Sequence, residues 1–187
     1  MDYAQIIKLV TEILHRKDPY NHHGANVGRL SVKVARLMSP AFTAEELEMI
    51  GHAANLHDMG KILLDDTLLN FPRLLTAAEY ETIKTHTTHG FHLAQSLQYD
   101  PIIQGTILYH HENIDGSGYP HGLRGEQIPA YARIVRVVDV YDSITNHRAY
   151  RQADTRENAM KWLEAYSDRM FDREIVTLFK RVLSEKP

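Results

Sequence analysis

Cysteine is absent from this chain. With no thiol there is no disulfide framework and no thiolate ligand, so any metal must be held by imidazole and carboxylate. Charge of one sign is also scarce. The net charge is −3 with histidines neutral, which leaves no global basic field for wrapping a DNA or RNA polymer. No apolar run approaches the roughly 20 residues of a membrane span, so membrane insertion is not expected. The segment Met1-Asp2-Tyr3-Ala4-Gln5 lacks the basic start and cleavage site of a secretory signal. These absences fit a cytoplasmic protein. There is no repeat, low-complexity tract or interdomain linker, and 187 residues with 43% hydrophobic and 24% charged side chains read as one domain with a real core.

What the chain has in excess is histidine: twelve of them, spread over separate segments rather than gathered in a tract. Two stretches are dense in reactive groups. His57-Asp58-Met59-Gly60-Lys61 puts imidazole, carboxylate and a fixed cation within one or two helical turns. His110-His111-Glu112 runs into Asp115-Gly116-Ser117-Gly118-Tyr119-Pro120, two more imidazoles beside a flexible backbone. Together they have the composition of a metal site that handles a phosphate.

The hydrophobic spacing is helical throughout. Ile6, Leu9, Val10, Ile13 and Leu14 define a first amphipathic helix, and Val27, Leu30, Val34 and Leu37 a second that stops at Ser39-Pro40. Thr43-Ala44-Glu45-Glu46 has capping-box form and opens a third, running to Asp58. Thr76-Ala77-Ala78-Glu79 opens another, with Tyr80 and Ile83 expected inward; a short helix after His86 would use Leu93 and Leu97. Asp100-Pro101 predicts an N-cap and a first-turn proline for a helix ending near Glu112, and residues 113–127 predict an irregular loop. The β-branched run Ile134-Val135-Arg136-Val137-Val138 favours a strand locally; its polar neighbours and its length from Pro129 to Thr145 predict a helix buried on two sides. Asp154-Thr155-Arg156-Glu157 and Asp172-Arg173 start two C-terminal helices.

The ligand candidates fall at helix ends and at one helix centre. His23 is one turn before Val27; His57 and Asp58 close the third helix; His86 follows Ile83 by one turn; His110 and His111 end the helix begun at Pro101. Asp139 interrupts the most apolar helix, where a carboxylate needs a cation or strong hydrogen bonds. A metal ion is one answer and Arg136, three residues earlier, another. His15, His52, His89, His92, His121 and His147 match no ligand position.

The order His23, His57-Asp58, Asp139 resembles the HD superfamily of metal-dependent phosphohydrolases. His86, His110-His111 and Gly118-Tyr119-Pro120 resemble its HD-GYP branch, over a stretch from about His23 to Arg151. The resemblance implies an all-α fold, 1–187, with an HD helical core, additional C-terminal helices and a Gly-Tyr-Pro loop. It implies hydrolysis of cyclic di-GMP to linear pGpG, with GMP as a further product. It also implies metal ligation by His23, His57, Asp58, His86, His110, His111 and Asp139, with Asp58 bridging and catalytic. Lys61 would contact the phosphate, and Arg148 and Arg151 match basic positions near the substrate. Some members carry a glutamate four residues before the first histidine for a third metal; here that position is Pro19, which favours two.

Two cations sharing one site activate a nucleophile at neutral pH. Imidazole–carboxylate ligation suits iron or manganese, and also zinc. Lys61, a compact point charge, would stabilise the non-bridging oxygens. No residue is assignable as the acid for the leaving oxygen. Arg124, Arg133, Arg136, Arg148 and Arg151 outweigh Glu126, Asp139 and Asp142 locally, a bias suited to a dianionic dinucleotide, and Tyr119 and Tyr150 could stack on bases. The Gly-Tyr-Pro loop is equally a surface for a protein partner, and a homodimer stays open. With about 20 residues before His23, the chain is expected to be a free-standing effector or an excised catalytic part. Rival readings are a hydrolase of another cyclic dinucleotide or nucleotide, an HD-type di-iron oxygenase, and a non-catalytic cyclic di-GMP receptor.

Overall fold

The computed structural model describes residues 3–17, 24–69, 73–147 and 152–185. His23, Arg148 and Arg151, together with Pro19 and Tyr150, lie outside them. Among the described residues there are ten α-helices: α1 Tyr3–Lys17, α2 Gly24–Ala35, α3 Ala44–Leu56, α4 Asp66–Leu69, α5 Ala77–Lys84, α6 His86–Ser96, α7 Pro101–Tyr109, α8 Ala130–Thr145, α9 Arg156–Ala165 and α10 Arg173–Ser184. A 3-10 turn covers Met59–Leu63. The only β pairing in the described residues is two isolated bridges. None of these helices is long and apolar enough to cross a membrane.

The expected start signals are in place. Thr43 and Thr76 each close a reciprocal capping box, with Glu46 and Glu79. Asp100 accepts from the Ile102 N–H with Pro101 in the first turn, and Asp172 caps α10. Each such cap satisfies backbone donors that a helix start leaves open. The run at 134–138 is helical: Ile134, Val135, Val137 and Val138 are all buried in the middle of α8, so tertiary burial overrides local β preference.

Two apolar clusters share α3. Ile50 and Ala54 pack with Val27, Leu30, Val34 and the buried faces of α8, α9 and α10. Ala53 and Leu56 pack with Val10, Leu14, Ile103 and Ile107 of α1 and α7. The C-terminal end of α3, carrying His57, therefore emerges between two packed cores, a rigid place for a site.

Three outward side chains depart from the expected pattern, one of them Leu9 on α1, 47% exposed although counted in that helix's apolar face. Tyr80 is 47% exposed and Leu97 is 49% exposed, where both were expected inward. Leu97 is the C-cap of α6, past the last residue in helical phase. α5, which carries Tyr80, buries no side chain completely.

Gly60 is fixed by contact. A Cβ there would lie 1.9 Å from the His86 carbonyl oxygen and 2.6 Å from the Gly90 nitrogen, so the 3-10 turn sits directly on the backbone of α6. This close approach is what brings Asp58 and Lys61 against His86. Gly60→Ala is expected to force the two segments apart, costing roughly 1–3 kcal/mol as overpacking does and weakening metal binding with it. Urea midpoints and a metal titration check this; wild-type values for both would show that the turn can yield.

Candidate metal centre

Four elements converge. His57 is the C-cap of α3, Asp58 follows it, His86 begins α6, His110 caps α7 with His111 next, and Asp139 projects from α8. Asp58, His86, His110 and His111 each bring one ligand atom within 4.8 Å of the others'. His57 Nε2 stands 3.5 Å from Asp58 Oδ2 and 3.6 Å from Asp139 Oδ1. On the other side, Asp58 Oδ1 is 3.3 Å from His86 Nε2 and 3.8 Å from His110 Nε2. One oxygen of this carboxylate thus faces His57 and the other faces His86 and His110.

The backbone fixes three of the rings. His57 Nδ1 lies 2.6 Å from the Ala54 carbonyl, His86 Nδ1 2.7 Å from that of Ile83, and His110 Nδ1 2.9 Å from that of Ile107. A carbonyl only accepts, so each Nδ1 carries a proton and each Nε2 is the nitrogen turned into the site, the orientation a metal-binding imidazole needs. His111 is held differently. Arg136 Nη1 donates toward its Nδ1 at 3.4 Å, and its ring stacks on Tyr119 at 4.7 Å. Arg136 also donates to Asn113 Oδ1 at 3.0 Å. Its guanidinium therefore supports the His111–Asn113 turn as well as lying near Asp139.

Burying two carboxylates among imidazoles is costly unless positive charge lies between them. His57 registers this need. Burial works against its charged form, but Asp58 and Asp139 outweigh burial and raise its pKa to about 9. Burial lowers His86 to about 4 and drives His110 and His111 well below the usual imidazole value, with neighbouring imidazoles adding to the effect in the latter two. Three neutral imidazoles, a fourth in His57 whose extra proton a cation would displace, and ionised carboxylates around one buried space are the donor set of a hard or borderline divalent cation, so the residues present fit such an ion.

A pH dependence follows for protein stripped of metal. His57 is raised above its ordinary 6.5, so its contribution to stability is complete below that pH and is lost as pH rises through about 9. His86 is lowered to about 4, so it withdraws stability as pH falls from 6.5 toward that value. Urea unfolding of chelator-treated protein should give maximal stability near pH 6.5, declining on both sides. Stability still rising up to pH 9 would contradict the charge assigned to His57.

Lys61 donates to Asp58 Oδ2 at 2.6 Å and is largely buried. The cation of the first motif therefore sits on the carboxylate at the centre of the cluster. The second motif is organised by Glu112, a residue for which the sequence suggested no role. Its buried carboxylate accepts from the N–H groups of His121, Gly122 and Leu123 at 2.7, 3.1 and 3.0 Å. Gly118 lets the returning strand of the loop lie on the chain it left, since a Cβ there would be 2.3 Å from the Asn113 nitrogen. The loop thereby presses Tyr119 onto His111. The signal for Glu112 was available: an acid directly before a Gly-rich loop is well placed to collect its amides.

Two of the five arginines behind the local basic bias have structural partners. Arg133 pairs with Asp172 and donates to the Ile128 carbonyl at 3.0 Å, tying α8 to the start of α10. Arg136 is committed as described, so neither is a free substrate cation.

These features define an all-helical metal-binding HD fold. The family model described as HD domain matches residues 8–175, and the chain belongs to that family, in its HD-GYP branch. It is 37% identical to a cyclic di-GMP phosphodiesterase of Thermotoga maritima over 98% of this chain and 51% of that protein. It is 44% identical to a cyclic di-GMP phosphodiesterase response regulator of Xanthomonas campestris pv. campestris, over 73% of this chain and 37% of the other. A 3'3'-cGAMP-specific phosphodiesterase 2 of Vibrio cholerae is 35% identical over 83% of this chain and 30% of its own. Among solved structures, an HDGYP protein of Bdellovibrio bacteriovorus, Bd1817, superposes with a TM-score of 0.69 over 89% of this chain and 53% of that one, at 22% identity. The chain spans about half the length of the first of these relatives and about a third of the other two.

Proposed function

We propose that this chain is the catalytic region of a metal-dependent phosphodiesterase that opens cyclic di-GMP to linear pGpG. The observation that carries the reading is Asp58, a buried carboxylate with one oxygen facing His57 and the other facing His86, while Lys61 lies on the first. The names of the relatives matched at 37% and 44% identity support the substrate.

The site would hold two divalent ions, iron or manganese, with zinc as a third candidate. Asp58, His86, His110 and His111 would hold one, and Asp58 with His57, Asp139 and, from outside the described residues, His23 would hold the other. When bound, the ions would supply Lewis acidity and a nucleophile at neutral pH. The chain's own groups do the rest. Carbonyl contacts hold His57, His86 and His110 in the ligating tautomer. Lys61 places positive charge where the phosphate's non-bridging oxygens gain negative charge. Tyr119 walls the His111 side, and burial keeps its phenol protonated at any ordinary pH, so it can donate a hydrogen bond but cannot serve as a base. Arg148 and Arg151 would bind the substrate from the segment after α8, and the outer side of the Gly-Tyr-Pro loop, where Ser117 and His121 are exposed, would be open to a protein partner or a second copy.

A second reading, hydrolysis of a mixed cyclic GMP-AMP dinucleotide, is supported by the Vibrio relative's name. One experiment separates the two: anaerobically purified protein, its metal content measured by elemental analysis, is incubated with a panel of cyclic dinucleotides and the products are resolved by chromatography. Cyclic di-GMP should be consumed fastest and pGpG should accumulate. Preference for the mixed dinucleotide would move the assignment to the second reading, and no turnover of any of them would end both.

A further inference from the structure

Helix α5 buries no side chain completely, so core packing does not explain its sequence. It nevertheless sets a cation beside the aromatic wall of the metal centre. Lys84 Nζ lies 4.9 Å from the centroid of the Tyr80 ring and 5.4 Å from that of Tyr119. Tyr119 in turn stacks on His111. Tyr80, the side chain expected to face inward, instead offers half its surface to solvent at this rim. Lys84 is paired with Glu81 Oε1 at 2.6 Å, three residues earlier on the same helix, and that carboxylate is 68% exposed. A pair of this kind contributes little and is easily exchanged for another anion.

A cyclic dinucleotide carries two phosphodiesters on one ring. While one is attacked at Asp58 and Lys61, the other lies across the macrocycle and needs its own cation. Two cations close to the centre are already engaged by it: Lys61 on Asp58, and Arg136 on His111 and Asn113. The charged partner of Lys84 is the exposed Glu81, and its ammonium stands next to the Tyr80 and Tyr119 rings, aromatic faces of the kind on which purines stack.

We propose that Tyr80 and Lys84 form the second half of the substrate site, Lys84 binding the phosphodiester that is not cleaved and Tyr80 with Tyr119 giving faces for base stacking. This rests on the cyclic-dinucleotide reading above and adds a specificity-determining pair to it. Lys84 acts as a point charge, and base–aromatic stacking tolerates more than one purine.

The test compares cyclic di-GMP with bis(4-nitrophenyl) phosphate, which has one phosphodiester and no purine, using metal-loaded wild type, Lys84→Ala, Lys84→Arg, Tyr80→Ala and Tyr80→Phe. In Lys84→Ala the KM for cyclic di-GMP should rise about tenfold or more, the loss of one charge-assisted contact. The ratio of kcat/KM for the dinucleotide to that for the small diester should fall by the same factor. Lys84→Arg should keep that ratio within about threefold of wild type, since the charge remains. Tyr80→Ala should lower the ratio while Tyr80→Phe keeps it. An unchanged ratio in Lys84→Ala, or an equal loss on both substrates, overturns the proposal. Because the ratio is internal to each preparation, partial misfolding lowers both terms and does not imitate the expected result. Wild type inert toward every cyclic dinucleotide would instead overturn the functional reading itself.

Discussion

Asp58→Ala is expected to yield protein that retains neither metal nor turnover. In the wild type this one carboxylate meets His86 and His110 through Oδ1 and His57 and Lys61 through Oδ2. Asp139 approaches His57 Nε2 at 3.6 Å and acts electrostatically on His110 and His111 as well, but Asp58 is the carboxylate gathered with His86, His110 and His111. Removing Asp58 takes the one carboxylate out of its cluster with His86, His110 and His111, and neutral imidazoles alone hold a hard divalent cation poorly. It also leaves the largely buried Lys61 ammonium without its partner, a loss that costs about 3–5 kcal/mol when an ion pair is fully buried and less here. Elemental analysis should find well under one ion per chain, and product chromatography no conversion above the metal-free background. Asp58→Asn keeps the shape and loses the charge, so it should behave in the same direction. Two ions per chain retained in either variant would remove Asp58 from the bridging position.

The helices were legible in the sequence where local chemistry decides them. Thr43, Thr76, Asp100 and Asp172 announce their helix starts because a cap is a contact between residues two or three apart. The meeting of His57, Asp58, His86, His110, His111 and Asp139 was legible for another reason: a carboxylate in a run of Val and Ile, and imidazoles at three helix ends, are expensive choices that call for compensating charge or hydrogen bonds. What escaped is what depends on distant backbone. Gly60 reads as a mere turn residue until α6 is laid against it with the His86 carbonyl in the place of a side chain. Glu112 reads as part of a motif until the loop returns and presents three amides. Tyr80 has the right period for the core, but α5 rests at the rim, so its phase points to the site instead of the interior. Arg133 and Arg136 counted toward a substrate-binding bias because one-dimensional charge cannot reveal that Asp172 and Asn113 claim them.

Lys61→Ala should separate binding of the metals from catalysis. The ammonium is no ligand. It lies 2.6 Å from Asp58 Oδ2, so its loss leaves that carboxylate more negative, and the ions should stay at wild-type content. What disappears is the fixed positive charge next to the phosphate, and charge of this kind matters most where negative charge grows in the transition state. Removing one such preorganised group typically lowers kcat by roughly 10²- to 10³-fold. KM should move far less, because the ground-state phosphodiester carries less charge on the oxygens Lys61 would meet. Lys61→Arg should recover only part of the rate, since a planar fork cannot occupy the position of a compact ammonium held against Asp58. Steady-state kinetics on metal-quantified protein decide the matter. Wild-type kcat at saturating substrate would reduce Lys61 to a counter-ion for Asp58. A parallel loss of metal and rate would make it a structural support of the centre, and the phosphate would then have to find its cation elsewhere, with Arg148 and Arg151 the first to try.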